Sequence, residues 1–549
     1  MNKISNLIPI TLSLSSIGIL FYIFLPLITS EFIIINESIA IPDFDTKNRI
    51  LVPDKTIEEN IIIQILGGFK ILEGFFFHHH MTFLLPAYYI DIGIDRNIHQ
   101  YGILTTYIIY FCSIQIFNEI SFNAYLSIIH SFLILFPLVL MYLGLKVYQN
   151  KYLVFLFVLV FTLSYLLLDF LNFYLTPTVS PIRQIFIPII FYFLYKVYYE
   201  RKTNFIKYFY LFLILQTFVF IELSLFIIFS VIFQIFIDKK IKLSSKENLL
   251  NFIFLFLVLY IFLFNNFNDD NYFSTFNFIF LGPSLKFLEL SIIIVLLCIL
   301  MYIVSSSVSD SKSHIFIKII SCYSMLSIFY YVWNPSYNHL APIIWPISFI
   351  TLFFIDRFII FKKFTTSLVI LSFVAIFTTY YAINNFYTEK ELFYGSLTRY
   401  LKNYELKIDN KINMSTTINP VYIQDSCRII DKYNNKKMIH LISIHDSFLP
   451  FLCNKANAKY DQLILNMVNE DIKNNAYNSF KDKKIIFVDN YIDDIKSNTY
   501  YEIYEHAVDF RIKINAINQA RKLFKELKNN GNYKLVERGK LISVYEKID

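Results

Sequence analysis

Charged side chains are scarce in this sequence. Only 17% of its 549 residues are Asp, Glu, Lys or Arg, whereas 56% are hydrophobic, and the mean hydropathy is +0.51. Because a soluble globular protein carries about 25% charged residues, the composition argues against an ordinary cytosolic protein. The same figures exclude a collagen, a coiled coil, a disordered chain and a small disulfide-rich scaffold.

Several motifs of well-known enzymes are also missing. The sequence has no Gly-rich loop to cradle a phosphate, no nucleophile elbow and no pair of CxxC motifs for zinc. It also lacks the basic motifs of nucleic-acid-binding proteins. We therefore expect neither ATP-driven transport by this chain alone nor a nucleic-acid partner.

Cysteines are few as well. Cys112, Cys298 and Cys322 lie in apolar runs, and we interpret them as packing residues. Cys427 and Cys453 lie close to the C-terminus and could pair in an oxidising compartment. Their spacing alone does not decide whether they do.

The charges that are present concentrate near the C-terminus. About 28% of residues 384–549 are charged, but only about 11% of residues 1–383, which predicts a membrane body followed by a water-soluble domain. A span needs about 20 apolar residues. Runs near that length occur at 8–30, 101–118, 122–145, 152–169, 181–199, 249–265, 285–304, 315–332, 338–355 and 364–383. We therefore predict an all-α polytopic membrane protein with about ten to thirteen transmembrane helices over residues 1–383.

The run at 208–237 differs because Gln216 and Glu222 lie near its centre and basic residues flank both of its ends. Since positive charge is enriched in cytoplasmic loops, we predict two short helices that meet near Glu222. One long tilted helix is the alternative. Three predicted helices separate the N-terminus from Lys146, so a cytoplasmic N-terminus needs a further crossing or a re-entrant segment within 60–100.

Two regions are predicted to lie outside the bilayer. Residues 31–100 form an outer loop with ten acidic and five basic side chains. Residues 384–549 form a C-terminal α/β domain on the extracytoplasmic side. Strand-like runs in it, at 438–444, 484–488 and 541–545, alternate with helix-like runs such as 515–527.

Four histidines, His78, His79, His80 and His99, fall within 22 residues at the end of the outer loop. Neutral imidazoles bind metals or act as acid and base near pH 7. Three consecutive side chains cannot all point one way, so at most two share a site. We interpret His79 and His80 as candidate catalytic residues, and His78 with His80 as candidate ligands of a divalent metal. Interfacial anchoring of the loop is the alternative.

Acidic residues are the other candidates for catalysis. Asp43 and Asp45 form a D-x-D pair, which either holds a divalent cation or is solvated. Glu222 lies in an otherwise apolar run, where a carboxylate is costly unless it faces water or a partner. A functional and a structural role for Glu222 both stay open.

Candidate binding residues lie near predicted helix ends. Arg183 either binds a phosphate with its planar guanidinium or extends to the lipid headgroups. Trp333, Asn334 and His339 suit sugar hydroxyls or a phosphate, although Trp also belongs to the ordinary interfacial belt. In the C-terminal domain, His445 and Asp446 follow a predicted strand, and we favour a satisfied turn there over a site.

The order of these motifs along the chain resembles that of the GT-C superfamily of membrane glycosyltransferases. This superfamily includes protein O-mannosyltransferases and lipid A aminoarabinose transferases. Besides the polar turn at Glu222, Arg183 and the loop that ends at His339, the resemblance rests on one loop motif. Its elements are His79 and His80, Pro86 with Ala87, Gly93, and the run His99, Gln100, Tyr101 and Gly102.

The resemblance implies a first helix, a long outer loop, about ten further helices and an outer C-terminal domain. The Asp-Glu pair typical of the superfamily is replaced by histidines here, so the base is an imidazole, Asp43, Asp45 or Glu222. Asn334 stands where an arginine is often found.

The implied reaction transfers a sugar from a polyprenyl-phosphate-linked donor to an envelope acceptor on the outer face of the bacterial inner membrane. A divalent metal is the one cofactor considered. The residues expected to bind substrate are His99, Gln100, Tyr101, Arg183, Trp333, Asn334 and His339. The alternatives are a glycan polymerase, ligase or flippase of the same pathway, and a non-catalytic membrane protein that kept the fold.

Overall fold

The computed structural model is described here over seventeen stretches of the chain. They are residues 7–18, 33–34, 81, 83–94, 103–164, 183–237, 253–254, 257, 311–333, 337–359, 404–408, 412–416, 419–443, 445–458, 470–494, 508–530 and 532–548. Within them, the part before residue 360 is helical apart from one two-residue strand. The part after residue 403 mixes helices with strands.

The helices of the first part, which we call the body, follow the apolar runs of the sequence. They are α1 (Leu7–Gly18), α2 (83–91), α3 (Ile103–Cys112), α4 (Phe122–Val147), α5 (Tyr152–Ser164), α6 (Ile187–Leu194), α7 (Ile206–Thr217), α8 (Ile221–Ile237), α9 (Ser311–Trp333) and α10 (Tyr337–Phe354). One π-helical turn extends each of α3, α6 and α10, at Ser113–Phe117, Tyr195–Tyr199 and Ile355–Ile359.

The apolar run at 208–237, which has polar residues near its centre, forms two helices, as the sequence predicts. Helix α7 ends at Thr217, and α8 begins four residues later, at Ile221, with Glu222 in its first turn. The start of α3 covers the turn between them, because the backbone N–H of Leu104 donates to the carbonyl oxygen of Phe218 (3.1 Å). A carbonyl at a helix end that has no intrahelical partner is thus satisfied by a neighbouring helix.

A sharp bend separates α3 from α4. Asn118 adopts a left-handed conformation (φ 58°), and the Ser121 hydroxyl then caps α4 by accepting from the N–H of Ala124 (3.1 Å). No single helix among the described residues is both long and apolar enough to cross a bilayer. One pair, Ile103–Phe117 with Phe122–Ile129, meets that requirement jointly, and its two halves are bent by 108°.

Two layers of aromatic rings hold the body together and show the direction of each helix. The first layer comprises Phe136, Phe161, Phe191, Tyr323 and Trp345, and the second comprises Tyr148, Phe157, Tyr195, Phe316 and Phe349. From the first layer to the second, the residue numbers rise in α4, α6 and α10 and fall in α5 and α9. The starts of α4, α6 and α10 and the ends of α5 and α9 therefore lie together, at what we call the upper end.

The described strands are β1, which lies in the predicted outer loop, and eight strands after residue 403, in the part that we call the C-terminal domain. They are β1 (Ile33–Ile34), β2 (Tyr404–Ile408), β3 (Ile412–Thr416), β4 (Met438–Ile439), β5 (Leu441–Ile442), β6 (Ala456–Asn457), β7 (Ile485–Asp489), β8 (Tyr533–Arg538) and β9 (Ile542–Lys547). The helices are α11 (Pro420–Tyr433), α12 (Phe448–Leu452), α13 (Glu470–Phe480), α14 (Asn490–Asp494) and α15 (Val508–Asn530). The strands predicted at 484–488 and 541–545 correspond to β7 and β9, and the helix predicted at 515–527 lies within α15. The run predicted at 438–444 instead forms two short strands, β4 and β5, and residue 444 lies outside the described residues.

The strands form three small sheets. The largest has the order β5-β7-β9-β8, in which β5 and β7 are parallel and the other pairs are antiparallel. Strand β4 pairs in parallel with β6. The third sheet joins distant parts of the chain, because β1, from the predicted outer loop, pairs in parallel with β3 of the C-terminal domain.

A disulfide joins two helical segments of the C-terminal domain. Cys427 of α11 is bonded to Cys453, which follows α12, and their Cα atoms are 5.1 Å apart. This separation lies in the ordinary range for disulfides. The pairing that the spacing left open is therefore made.

Candidate functional site

Four of the residues predicted to form a site lie in the described part of the chain. They are Arg183, Glu222, Trp333 and His339. The other nine, Asp43, Asp45, His78, His79, His80, His99, Gln100, Tyr101 and Asn334, lie outside the described residues.

Arg183 is a buried cation between two aromatic rings. Its side chain is 5% exposed, and its guanidinium carbon lies 5.5 Å from the ring centre of Phe83 and 5.2 Å from that of Phe220. Each such cation–π contact contributes about 0.5–2 kcal/mol. The two rings come from α2 and from the turn between α7 and α8, so three separate segments enclose the guanidinium.

A buried amide fixes the backbone that carries Arg183. The Gln216 side chain donates from Nε2 to the carbonyl oxygen of Arg183 (2.6 Å). Its Oε1 accepts from the N–H of Phe186 (3.2 Å). Both groups belong to the turn that precedes α6, where helical backbone partners are missing. Gln216 thus joins the end of α7 to the start of α6.

Tyr125 lies near this arginine, and Glu222 lies in the helix that begins directly after Phe220. Glu222 follows Phe220 by two residues and is half-buried, with its Oε2 atom out of contact with solvent. Tyr125 is fully buried, and its hydroxyl lies within electrostatic range of the Arg183 guanidinium. Glu222 also sits in the first turn of α8, where a carboxylate stabilises the helix dipole, so its structural role stays open beside the functional one.

Trp333 and His339 lie at the same end of the body as Arg183. His339 precedes Trp345 of the first aromatic layer by six residues, which is about 9 Å along α10. Arg183 lies in the turn that precedes α6, the helix that carries Phe191 of that layer. Trp333 is the last residue of α9, which also ends there. The upper end therefore collects all four predicted residues that the structure describes.

The opposite end of the body carries a different set of charges. Asp356 accepts from the backbone N–H groups of Gln149 (2.7 Å) and Asn150 (2.9 Å). These two bonds tie the turn between α4 and α5 to the end of α10.

Glu200, in the connection that follows α6, is also at this lower end. Burial raises its pKa, but hydrogen bonds from Lys196 and Lys202 outweigh burial and bring the pKa to about 2. Glu200 is therefore a carboxylate that offsets neighbouring lysines.

His445 and Asp446, the candidates in the C-terminal domain, lie in a closed turn after β5. Both are buried, and the backbone N–H of His445 donates to the Ser443 hydroxyl oxygen (3.0 Å). The Ser443 hydroxyl donates in turn to Asp489 (2.7 Å). These two bonds tie the backbone of the turn to β7, and the Nδ1 atom of His445 and the hydroxyl of Ser447 are buried as well. The preference for a turn over a site stays a prediction.

A metal centre was predicted at His78 and His80, which lie outside the described residues. Within the described stretches, no three His, Cys, Asp or Glu side chains come close enough to hold a metal ion.

Sequence reasoning missed Phe83, Tyr125, Gln216 and Phe220 as neighbours of Arg183. Gln216 had a visible signal, since an amide in an apolar run needs a partner. The two phenylalanines had none, because they are two among sixty in the chain. Their proximity to Arg183 depends on how α2 and the α7–α8 turn fold back.

Comparisons with known proteins add no relative. No protein-family model matches the chain, and neither a curated protein nor a solved structure does. Function must therefore be argued from the residues at the upper end.

Proposed function

We propose that the chain is a polytopic membrane glycosyltransferase that takes its sugar from a polyprenyl-phosphate-linked donor and acts at the upper end of the body. The observation that carries the proposal is the burial of the Arg183 guanidinium at this end, between Phe83 and Phe220. A guanidinium held among aromatic rings suits an anionic lipid group.

Arg183 has the chemistry that the leaving group requires. When an acceptor hydroxyl attacks the anomeric carbon, the bond from that carbon to the phosphate oxygen breaks, and the lipid phosphate leaves with the electron pair. A guanidinium offers several N–H donors in one plane and matches phosphate oxygens. Placed among aromatic rings, it stabilises developing negative charge more strongly than it would in water.

The acceptor hydroxyl must also lose a proton. Glu222 is the described carboxylate nearest in sequence to the rings around Arg183, and it is half-buried. His79 and His80 precede Phe83 by a few residues. A base acts when it lies within about 3 Å of the proton that it removes. We propose Glu222 or one of these two histidines for this role.

The proposal places the body in a membrane and the C-terminal domain on the outer side. Large apolar side chains are exposed on the body helices, among them Leu135, Leu211 and Phe233, as expected of lipid-facing positions. The lower end carries lysines and arginines, which are enriched on the cytoplasmic side. The disulfide of the C-terminal domain favours an oxidising compartment.

The geometry of helix α3 supports one membrane crossing fewer than the number of apolar runs predicts. The helix is bent by 108° from α4, and four of its exposed side chains, Ile103, Tyr107, Phe111 and Ile116, are large and apolar, whereas Gln115 is exposed and polar. Such a helix suits the plane of the membrane interface. We propose that residues 103–117 lie along the surface. A cytoplasmic N-terminus then needs no additional crossing within 60–100.

The test is transfer of labelled sugar from polyprenyl-phosphate donors to envelope extracts, with the full-length protein in membranes. Arg183→Lys keeps the charge but loses the planar fork, so we expect transfer to fall about tenfold or more. Arg201→Lys is the matched control, since Arg201 is exposed at the lower end. Glu222→Ala, His79→Ala and His80→Ala identify the base.

The outcomes separate the alternatives. Equal transfer by correctly inserted Arg183→Lys and Arg201→Lys proteins would remove Arg183 from the site. Transfer from lipid-linked oligosaccharides alone would favour a polymerase or a ligase. No transfer from any donor would contradict the enzyme and favour a non-catalytic protein.

A further inference from the structure

Residues 83–89 of helix α2 are buried, although the helix lies between two parts of the chain, and only Ile90 and Asp91 in its last turn are exposed. Met81, Leu84, Ala87, Tyr88 and Tyr89, at and beside this helix, are almost fully inaccessible to solvent. A helix that is apolar all round needs neighbours all round. One hydrophobic core supplies them, with side chains from α3 and α4 on the body and from α11 and α12 of the C-terminal domain.

The C-terminal domain contacts α2 through one aromatic pair and two hydrogen bonds. The ring edge of Tyr88 packs on Phe451 of α12, with the ring centres 4.9 Å apart at 76°. The Tyr88 hydroxyl donates to the carbonyl oxygen of Lys455 (3.4 Å). The Nζ of Lys437 donates to the carbonyl oxygen of Ile92 (2.6 Å). Ile92 directly follows α2, where carbonyls lack helical partners and a cation is favourable.

The disulfide lies in the segment of the C-terminal domain that contacts α2. Cys453 is located between Phe451 and Lys455, the two residues that contact Tyr88, and is bonded to Cys427 of α11. The surface that receives Tyr88 is therefore covalently fixed to a helix of the same domain. Without the bond, the segment around Cys453 would be held by its packing and hydrogen bonds alone.

The opposite side of α2 faces the candidate site. Phe83 and Tyr88 are five residues apart, which is about 140° around a helix, so the two rings leave α2 in nearly opposite directions. Tyr88 reaches Phe451, and Phe83 lies on the Arg183 guanidinium at 5.5 Å. Any shift of α2 on the C-terminal domain consequently moves a ring that encloses Arg183.

We propose that the C-terminal domain positions α2 against Arg183, with Tyr88 as the positioning residue and the Cys427–Cys453 disulfide as the fastening of its docking surface. The functional part of this inference rests on the proposed donor-binding role of Arg183. The positioning itself can be measured without any enzymatic activity.

The experiment compares two substitutions of equal size in the C-terminal domain. Phe451→Leu removes the ring against Tyr88. The matched control is Phe524→Leu, because Phe524 makes an equally close edge contact (4.9 Å) with Tyr545 in a separate core of the same domain. Hydrogen exchange of the amides at 83–94 is then followed in the full-length protein.

We expect the amides at 83–94 to exchange about tenfold faster in Phe451→Leu, which matches the loss of one aromatic contact. The Cys427→Ser/Cys453→Ser double variant should do the same, whereas Phe524→Leu should leave this segment unchanged. In the transfer assay, Phe451→Leu should raise the KM for the lipid-phosphate donor more than it lowers kcat. Tyr88→Phe keeps the ring contact and should retain the KM.

Equal exchange at 83–94 in Phe451→Leu and Phe524→Leu would overturn the proposal, as would unchanged exchange in both Phe451→Leu and the double cysteine variant. If no donor supports transfer but exchange responds as expected, the positioning stands and the proposed function fails. If exchange responds while the KM for the donor does not, the coupling of α2 to donor binding is wrong.

Discussion

The Gln216 side chain offers the sharpest test of how the candidate site is built. Gln216→Leu keeps the approximate volume but removes both hydrogen bonds, so the carbonyl of Arg183 and the N–H of Phe186 lose a buried partner. An unsatisfied buried backbone group costs about 1–3 kcal/mol. The two together predict a loss of about 2–6 kcal/mol.

Thr217→Val is the matched control, because it changes the next residue of the same helix end. The Thr217 hydroxyl donates to the carbonyl of Leu213, one turn earlier (2.8 Å). A hydroxyl that bonds back to its own helix contributes little to stability. The substitution also leaves the start of α6 intact, so we expect a loss of about 1 kcal/mol or less.

The measurement is thermal unfolding of the full-length protein in detergent, followed by tryptophan fluorescence, together with sugar transfer below the transition. Gln216→Leu should unfold several degrees lower than Thr217→Val and should lose transfer at temperatures where it is still folded. A Gln216→Leu protein with the same Tm and transfer rate as Thr217→Val would refute the claim that this amide holds Arg183 in place.

Three further predictions concern other parts of the chain. Gly539→Ala would drive a Cβ into the Ile429 side chain and should cost about 1–3 kcal/mol; an unchanged Tm would contradict this packing. Asp356→Asn should cost about 2 kcal/mol, because the carboxylate accepts two backbone N–H groups of the α4–α5 turn, and a neutral result in thermal unfolding would count against that tie. Burial and, secondarily, Lys483 lower the pKa of His440 to about 4, so the unfolded chain binds the extra proton and stability falls as the pH drops from about 6.5 towards 4. His440→Asn should flatten that decline in Tm between pH 7 and pH 5, and an equally steep decline in the variant would exclude this histidine as its source.

Local patterns predicted several elements of the fold correctly. The break in the 208–237 run followed from polar residues inside an apolar stretch, and the structure separates α7 from α8 close to the predicted position. The strands at β4, β5, β7 and β9 and the helix α15 followed from periodicity over a few residues. Such elements are predictable because side-chain spacing alone decides which face is apolar.

Contacts between segments that are distant in the chain could not be predicted from the sequence. Nothing in the sequence around Ile33 indicates that it pairs with Met414 in a sheet. Nothing around Tyr88 indicates that its ring packs on Phe451. A two-residue strand carries no periodic signal. An aromatic ring packs on whichever surface the folded chain brings to it.

The amino-acid sequence by itself determined that charge is concentrated in the C-terminal third and that apolar runs fill the first two thirds. It also showed that Arg183 and Glu222 are charged residues in otherwise apolar runs. Those properties follow from the chemistry of each residue and its immediate neighbours. Only the tertiary structure decided that Phe83, Gln216 and Phe220 surround Arg183, and that the C-terminal domain holds α2 beside it. The physical reason is that burial and hydrogen-bond partners are set by segments that lie from 33 to 367 residues apart in the chain, and their meeting depends on the packing of the whole chain.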